Sequence, residues 1–277
     1  MKLHSLNDKI LADYDSFVVA IPPHLRALDA APFGKKTRWQ IDPLRVESGP
    51  FLHALQVLDR LTFGPKGMPM DKWIFFAGAE LPGFIYGFAI PVEDLADDER
   101  SLLEVPDDFT GPVPISMYIA IPMFEQGAWF GHNLASLNRL LPRRGLRYLA
   151  TMTKSLGLAA YKTRECYGAT QWSSQSIGVH TRYGALDLVT AYTPAHSFAE
   201  TLSYHFTVDK NSLRAAMGDE QALAALRRPV ADFYVHADQP EEMIALQKRI
   251  EAGERFQICD RPEQVGAQAA YPVACIS

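Results

Sequence analysis

The sequence predicts an α/β fold in which a mixed central sheet is flanked by helices, and three observations lead there. From residue 115 to residue 192, β-rich runs alternate with helical ones in the order strand, helix, strand, helix, strand. Leu52, Leu55, Leu58 and Leu61 recur at intervals of three, which makes one apolar stripe along a helix that must lie on a core. The aromatic and aliphatic runs at 73–79 and 84–90 are separated by Leu81, Pro82 and Gly83, the turn chemistry of an antiparallel hairpin.

The remaining elements follow in chain order. A helix is expected around residues 8–17, ahead of the turn-rich run IPPHLRALDAAPFGKK. After the hairpin, residues 92–111 (VEDLADDERSLLEVPDDFTG) are acidic and aperiodic, a solvated excursion whose charges need no functional reading. Residues 115–121 read as a buried strand stopped by Pro122, and residues 129–140 as a short helix. A second helix is expected over 145–161, with Leu146, Leu149, Met152, Leu156 and Ala160 on its core face. Residues 167–172, 186–192 and 202–208 are β-rich, and 174–183 reads as a short helix ended by Gly184. Two further helices are expected at 213–226 and 241–250, the latter opened by Pro240 and closed by Gly253, with short β-rich runs at ADFYV and FQIC. No linker rich in Gly or Ser interrupts the chain, so residues 1–209 are read as one elaborated domain, and residues 210–277 as a C-terminal α/β extension to it.

Composition narrows the function classes. The chain has 277 residues, of which 48% are hydrophobic and 21% charged, enough for a substantial core without a metal or disulfide staple. Twenty-seven basic against thirty-two acidic residues give a net charge of -5, which offers no general attraction to nucleic acid or to an anionic membrane surface. Cys166, Cys259 and Cys275 are widely spaced and odd in number, so neither a disulfide framework nor a zinc motif is indicated, and a reducing, cytoplasmic compartment is expected. The first residues lack a signal-peptide pattern, and the longest apolar run, WIFFAGAELPGFIYGFAIP, is interrupted by Glu80, Pro82 and Gly83. The eight histidines form no close metal-ligand spacing, and no metal is expected.

The pieces LHALQVLDRL, WIFFAGAELPGFIYGFAIP, PISMYIAIP, GLRYLATMTKSLGLAAY, CYGATQW, QSIGVHTRYG and ALDLVTAY, taken in that order, resemble the Gcn5-related N-acyltransferase superfamily. The resemblance covers somewhat more than half of the chain and implies an acyl-CoA N-acyltransferase-like fold. It also implies a cleft for the pantetheine arm of the donor between residues 115–121, with Ile119 and Ile121, and residues 167–172. The phosphate-binding loop then falls on Pro142, Arg143, Arg144, Gly145, Leu146 and Arg147, with Gly145 at the first glycine of the family's pattern and Arg147 at its last small position. A helix start suits pyrophosphate because its N–H groups lack partners and its dipole end is positive, and arginines add charge-assisted contacts. A second register for the loop uses residues 125–131, which have better-placed glycines and an acid, Glu125.

The implied activity is acyl transfer, by direct thioester aminolysis, from a coenzyme A thioester or acyl-carrier-bound pantetheine to a small-metabolite amine. Such a reaction needs a neutral amine, a stabilised oxyanion and a proton for the leaving thiolate. In the resemblance His180 stands where a tyrosine often protonates that thiolate, so His180 is the first acid/base candidate, and Glu165 is the candidate base. Tyr118, Trp129, Phe130, Trp172 and Tyr192 are candidates to line an acceptor or acyl pocket. The amphipathic helices of the extension suit either covering the acceptor side or forming a homodimer. Two alternatives stand beside this: a metabolic enzyme using a metal or Cys166 with His180 or His196, and a noncatalytic ligand- or protein-binding domain of the same fold.

Overall fold

The computed structural model describes residues 5–71, 83–265 and 268–276. Two compact units divide between Thr163 and Arg164, each built on β-sheet with helices against it.

In the N-terminal unit a helix, Ser5–Asp13, leads into β1 (Asp15–Val19), and a short helix, Pro22–Ala27, leads into β2 (Thr37–Ile41). The helix Gly49–Phe63 follows, then β3 (Phe84–Pro91), the helix Asp97–Leu102, β4 (Pro112–Pro114), β5 (Ser116–Pro122), β6 (Ala128–Ser136) and the helix Leu149–Ala160. The strands lie in the order β6, β5, β3, β1, β2, with β4 also on β3. β1 and β2 are parallel and the other pairs antiparallel, so the sheet is mixed as expected.

Of the leucine stripe of the helix Gly49–Phe63, Leu52, Leu55 and Leu58 are buried and Leu61 is half-buried; Phe51 is buried beside them, and Pro50 opens the helix where no N–H is needed. Phe51 meets Phe17 of β1 edge to face at 4.9 Å. On the helix Leu149–Ala160, Leu149, Met152, Leu156 and Ala160 are buried as expected, and Leu146 is buried just ahead of it.

Several expectations need correction. The helix expected over 8–17 stops at Asp13, because the β-prone run Phe17, Val18 and Val19 pairs with β2 and β3 instead. Residues 129–140 are not a short helix. Their first part belongs to β6, paired with β5 along its length, so sheet pairing overrides the helix-like leucine spacing beyond Asn133. The helix expected from Gly145 begins at Leu149, because Gly145 (φ 63°) and Tyr148 (φ 66°) both take left-handed backbone. The first strand of the expected hairpin, 73–79, lies outside the described residues, and the second is β3.

The C-terminal unit holds β7 (Glu165–Gln171), the short helix Ile177–His180, β8 (Leu186–Thr190) and β9 (Thr201–Thr207). Helices Lys210–Ala216 and Glu220–Ala225 come next, then β10 (Phe233–His236), the helix Pro240–Glu251, β11 (Arg255–Ile258), β12 (Glu263–Val265) and β13 (Gln268–Ile276). Strand order is β10, β13, β11, β8, β9, β7, with β12 on β13, so the last strand of the expected fold, β9, inserts between β7 and β8. β11 pairs with β8, which builds the tail into the same sheet. The single helix expected at 213–226 is two, broken where Gly218 takes φ 92° and restarted by Asp219, whose carboxylate accepts the Ala222 N–H at 3.0 Å. The helix Pro240–Glu251 buries Met243 and Leu246 within its own unit. Among the described residues no helix is long and apolar enough to cross a membrane.

Candidate functional site

The expected phosphate loop lies in the N-terminal unit, between β6 and the helix Leu149–Ala160. Pro142–Arg144 form a single tight turn, and Gly145 then reverses the chain in left-handed backbone that other residues adopt only with strain. A side chain at Gly145 would meet nothing within 4 Å, so the backbone here is uncovered. Leu146 is buried and anchors the loop, whereas Arg147 is exposed and, among the described residues, makes no hydrogen bond or ion pair.

The other two arginines are engaged. Arg143 reaches Asp98 at 3.1 Å, an exposed pair. The Arg144 guanidinium holds both oxygens of Glu99, with Nε donating to Oε1 at 2.7 Å, and its Nη2 also donates to the Asp94 carbonyl at 2.7 Å. The Glu99 carboxylate accepts the Ala96 N–H at 3.1 Å as well, which closes the first turn of the helix Asp97–Leu102. Arg144 beside it holds the Glu99 carboxyl below its ordinary pKa. The acidic excursion is therefore not a bystander: its helix clamps the loop.

The strand entering the loop is β6, and one residue of it is out of step with β5. Ile119 pairs with Asn133 and Ala120 with Gly131, so His132 is an extra residue, a β-bulge that bends the strand and turns a side chain. The bulge is fixed on both sides. Asn133 donates its amide to the buried carboxylate of Asp59 at 2.9 Å, and Asp59 also accepts the Met70 N–H at 2.7 Å. Burial pushes the Asp59 pKa up against the pull of those two donors. At Gly131 a Cβ would lie 2.8 Å from the Tyr118 hydroxyl, so any side chain there would press on the buried Tyr118 ring. Ile119 is buried, Ile121 is half-buried, and both lie on β5, one strand before the strand that runs into the loop. The second loop register, 125–131, takes in the end of the turn from β5 and the first residues of β6, and so runs into a strand rather than a helix.

In the C-terminal unit, His180 ends the short helix after β7. It is 5% exposed and stacks on Tyr204 of β9 at 4.7 Å. Tyr204 is buried over Gly168 of β7, and burial raises its pKa well above the ordinary value. Glu165 opens β7 and makes a separate contact: its carboxylate meets His205 Nε2 at 2.7 Å, while His205 Nδ1 faces Asp187 of β8 at 3.3 Å. Gln257 of β11 donates to that aspartate at 2.8 Å, so the cluster stitches four strands. Cys166 is buried, with its thiol 3.7 Å from the Tyr167 carbonyl. Among the described residues no group of three or more His, Cys, Asp or Glu side chains is placed to hold a metal ion.

Sequence reasoning missed Asp59, His132 and Asn133, and also the His205 cluster. The signal for the first group was present: a polar His-Asn pair inside the otherwise strand-like AWFGHNLAS breaks the alternation, as a bulge does.

No family model and no curated protein matches this chain. Among solved structures it is similar to an aminoglycoside 6'-acetyltransferase type Ii, at 12% identity over 61% of this chain and 96% of that one, with a TM-score of 0.38. It is similar to a chain of the NatC complex bound to Gag peptide and CoA, at 9% identity over 61% and 97%, with a TM-score of 0.42. It is also similar to the ribosomal-protein-S18-alanine N-acetyltransferase from Escherichia coli, at 10% identity over 60% and 91%, with a TM-score of 0.39. At this level of similarity nothing about substrate or mechanism passes from those proteins to this chain.

Proposed function

We propose that this protein is an N-acyltransferase that moves an acyl group from a coenzyme A thioester, or from acyl-carrier-bound pantetheine, to the amine of a small metabolite in the cytoplasm. The observation that carries the proposal is β6. It passes through a pinned bulge and leads to an uncovered glycine turn with Arg143 and Arg144 on it and Arg147 just beyond, ahead of the helix that starts at Leu149. Open space over Gly145 and the unpaired Arg147 guanidinium suit the pyrophosphate of such a donor, whereas the Gly145 N–H already donates to the Pro142 carbonyl at 3.4 Å, and Arg143 and Arg144 would have to exchange partners to reach it.

The donor supplies the activated thioester. This chain's residues hold the donor's phosphates at the loop, order the acceptor and move protons. His180 is assigned to protonate the leaving sulfur, and its stacking on Tyr204 fixes the ring for that role. Glu165 reaches a substrate proton only by giving up its contact with His205.

Titration of the protein with acetyl-coenzyme A, longer acyl donors and an acyl carrier tests the proposal, followed by thiol release with a panel of amines. The expected result is saturable donor binding, with turnover lowered in His180→Ala more than donor affinity. Absence of binding by every donor would refute the proposal, and equal turnover in His180→Ala would remove that residue's role.

A further inference from the structure

We infer that His132 is the base that takes the proton of the acceptor amine, presented by the bulge in β6; the inference rests on the acyl-transfer reading above. Four observations support it. First, His132 is skipped inside the β5–β6 ladder, between the pairs Ala120–Gly131 and Ile119–Asn133, and a bulge of this kind re-aims a side chain.

Second, the bulge is built rather than slack. Asn133 on one side is tied to Asp59 of the helix Gly49–Phe63, and Gly131 on the other is closed against the Tyr118 ring. A side chain on such a support holds its direction, which is what a catalytic group needs.

Third, the imidazole is unengaged. Among the described residues it makes no hydrogen bond or ion pair, and its ring meets only the edge of Phe130 at 6.5 Å. Other acid/base candidates are taken up: Glu165 by His205, His205 by Glu165 and Asp187, and His236 by Glu242 at 3.0 Å.

Fourth, the surroundings of the ring favour its basic form. It stays accessible to solvent, yet the protein around it removes enough hydration to push its pKa below that of an ordinary imidazole. A neutral imidazole at neutral pH has a lone pair ready for a proton. His132 also stands on the strand that enters the loop assigned to the donor, within one unit.

The step balances. The acceptor's ammonium N–H breaks, the electron pair stays on nitrogen and the proton bonds to a ring nitrogen of His132. The freed nitrogen bonds to the carbonyl carbon, the C–S bond breaks with its pair on sulfur, and sulfur gains a proton as nitrogen loses its second. One proton per turnover leaves His132 for solvent.

The test is His132→Gln, which keeps size and polarity but removes the base. With a donor and an amine that the wild type uses, turnover should fall about 100-fold while donor affinity and melting temperature are unchanged. Adding free imidazole should restore part of the rate in His132→Ala. If His132→Gln does not fold, diethyl pyrocarbonate on the wild type replaces it: modification mapped to His132 should track the loss of turnover, and saturating acceptor should protect. Wild-type turnover in folded His132→Gln, or full activity with His132 modified, overturns the inference alone. A wild type that binds no donor overturns the acyl-transfer reading and this inference with it.

Discussion

Replacing Glu99 measures how firmly the acidic helix holds the loop. The Arg144 and Glu99 side chains are 19% and 12% exposed, so this pair is largely withdrawn from water, unlike an open surface ion pair contributing about 0–1 kcal/mol. Glu99→Ala removes two charge-assisted hydrogen bonds and leaves a guanidinium without its counter-ion. Breaking a pair of this kind from one side costs about 3 kcal/mol. The substitution also opens the first turn of the helix Asp97–Leu102, a further loss of roughly 0.5–1 kcal/mol. Glu99→Gln keeps one oxygen for the Ala96 N–H but loses the charge and sets its amide NH2 against the Arg144 Nε–H, at about 2 kcal/mol. At roughly 2–4 °C per kcal/mol, Glu99→Ala should melt near 10 °C below the wild type, with Glu99→Gln between them. The carboxyl is held below the ordinary glutamate value of 4.5, so its stabilisation is complete above that pH and is lost as pH falls through the lowered value. Thermal melts from neutral to acid pH should therefore show the gap between wild type and Glu99→Gln closing on acidification. A Glu99→Ala protein that melts with the wild type, or a gap constant with pH, would show that the helix does not clamp the loop.

Three other perturbations test the framework around the candidate residues. Gly131→Ala puts a Cβ 2.8 Å from the Tyr118 hydroxyl and should cost about 1–2 kcal/mol, with Tyr118→Phe recovering part of the loss in a double-mutant cycle by chemical denaturation. Gly168→Ala drives a Cβ to 2.4 Å from the Tyr204 hydroxyl under the His180 stack. A loss of about 3 kcal/mol is expected in urea melts, and unchanged stability would contradict that packing. Trp172→Phe removes the indole N–H that donates to the Ala191 carbonyl at 2.8 Å in a fully buried site; about 2–3 kcal/mol should be lost, read by calorimetry.

Much of the fold was legible because periodicity reports burial. The leucine stripe of the helix Gly49–Phe63 and the apolar face of the helix Leu149–Ala160 both point where the sequence indicates. β6 was not legible. Its alternation is interrupted at His132 by the bulge, and the following leucines carry a helical spacing, so local pattern and tertiary pairing disagree. The candidate site divides along the same line. The turn at 142–145 was legible because proline and glycine mark it locally. The engagement of Arg144 by Glu99 joins residues forty-five positions apart, and that of Asn133 by Asp59 joins residues seventy-four apart, which no local pattern encodes.

The central claim is that the loop after β6 holds the phosphates of an acyl donor, and equilibrium titration of wild type and Arg147→Ala with acetyl-coenzyme A tests it most directly. Saturable binding to the wild type is expected, with about tenfold weaker binding to Arg147→Ala, the effect of losing one charge-assisted contact. Equal affinity in the two proteins, or no saturable binding in either, would contradict it.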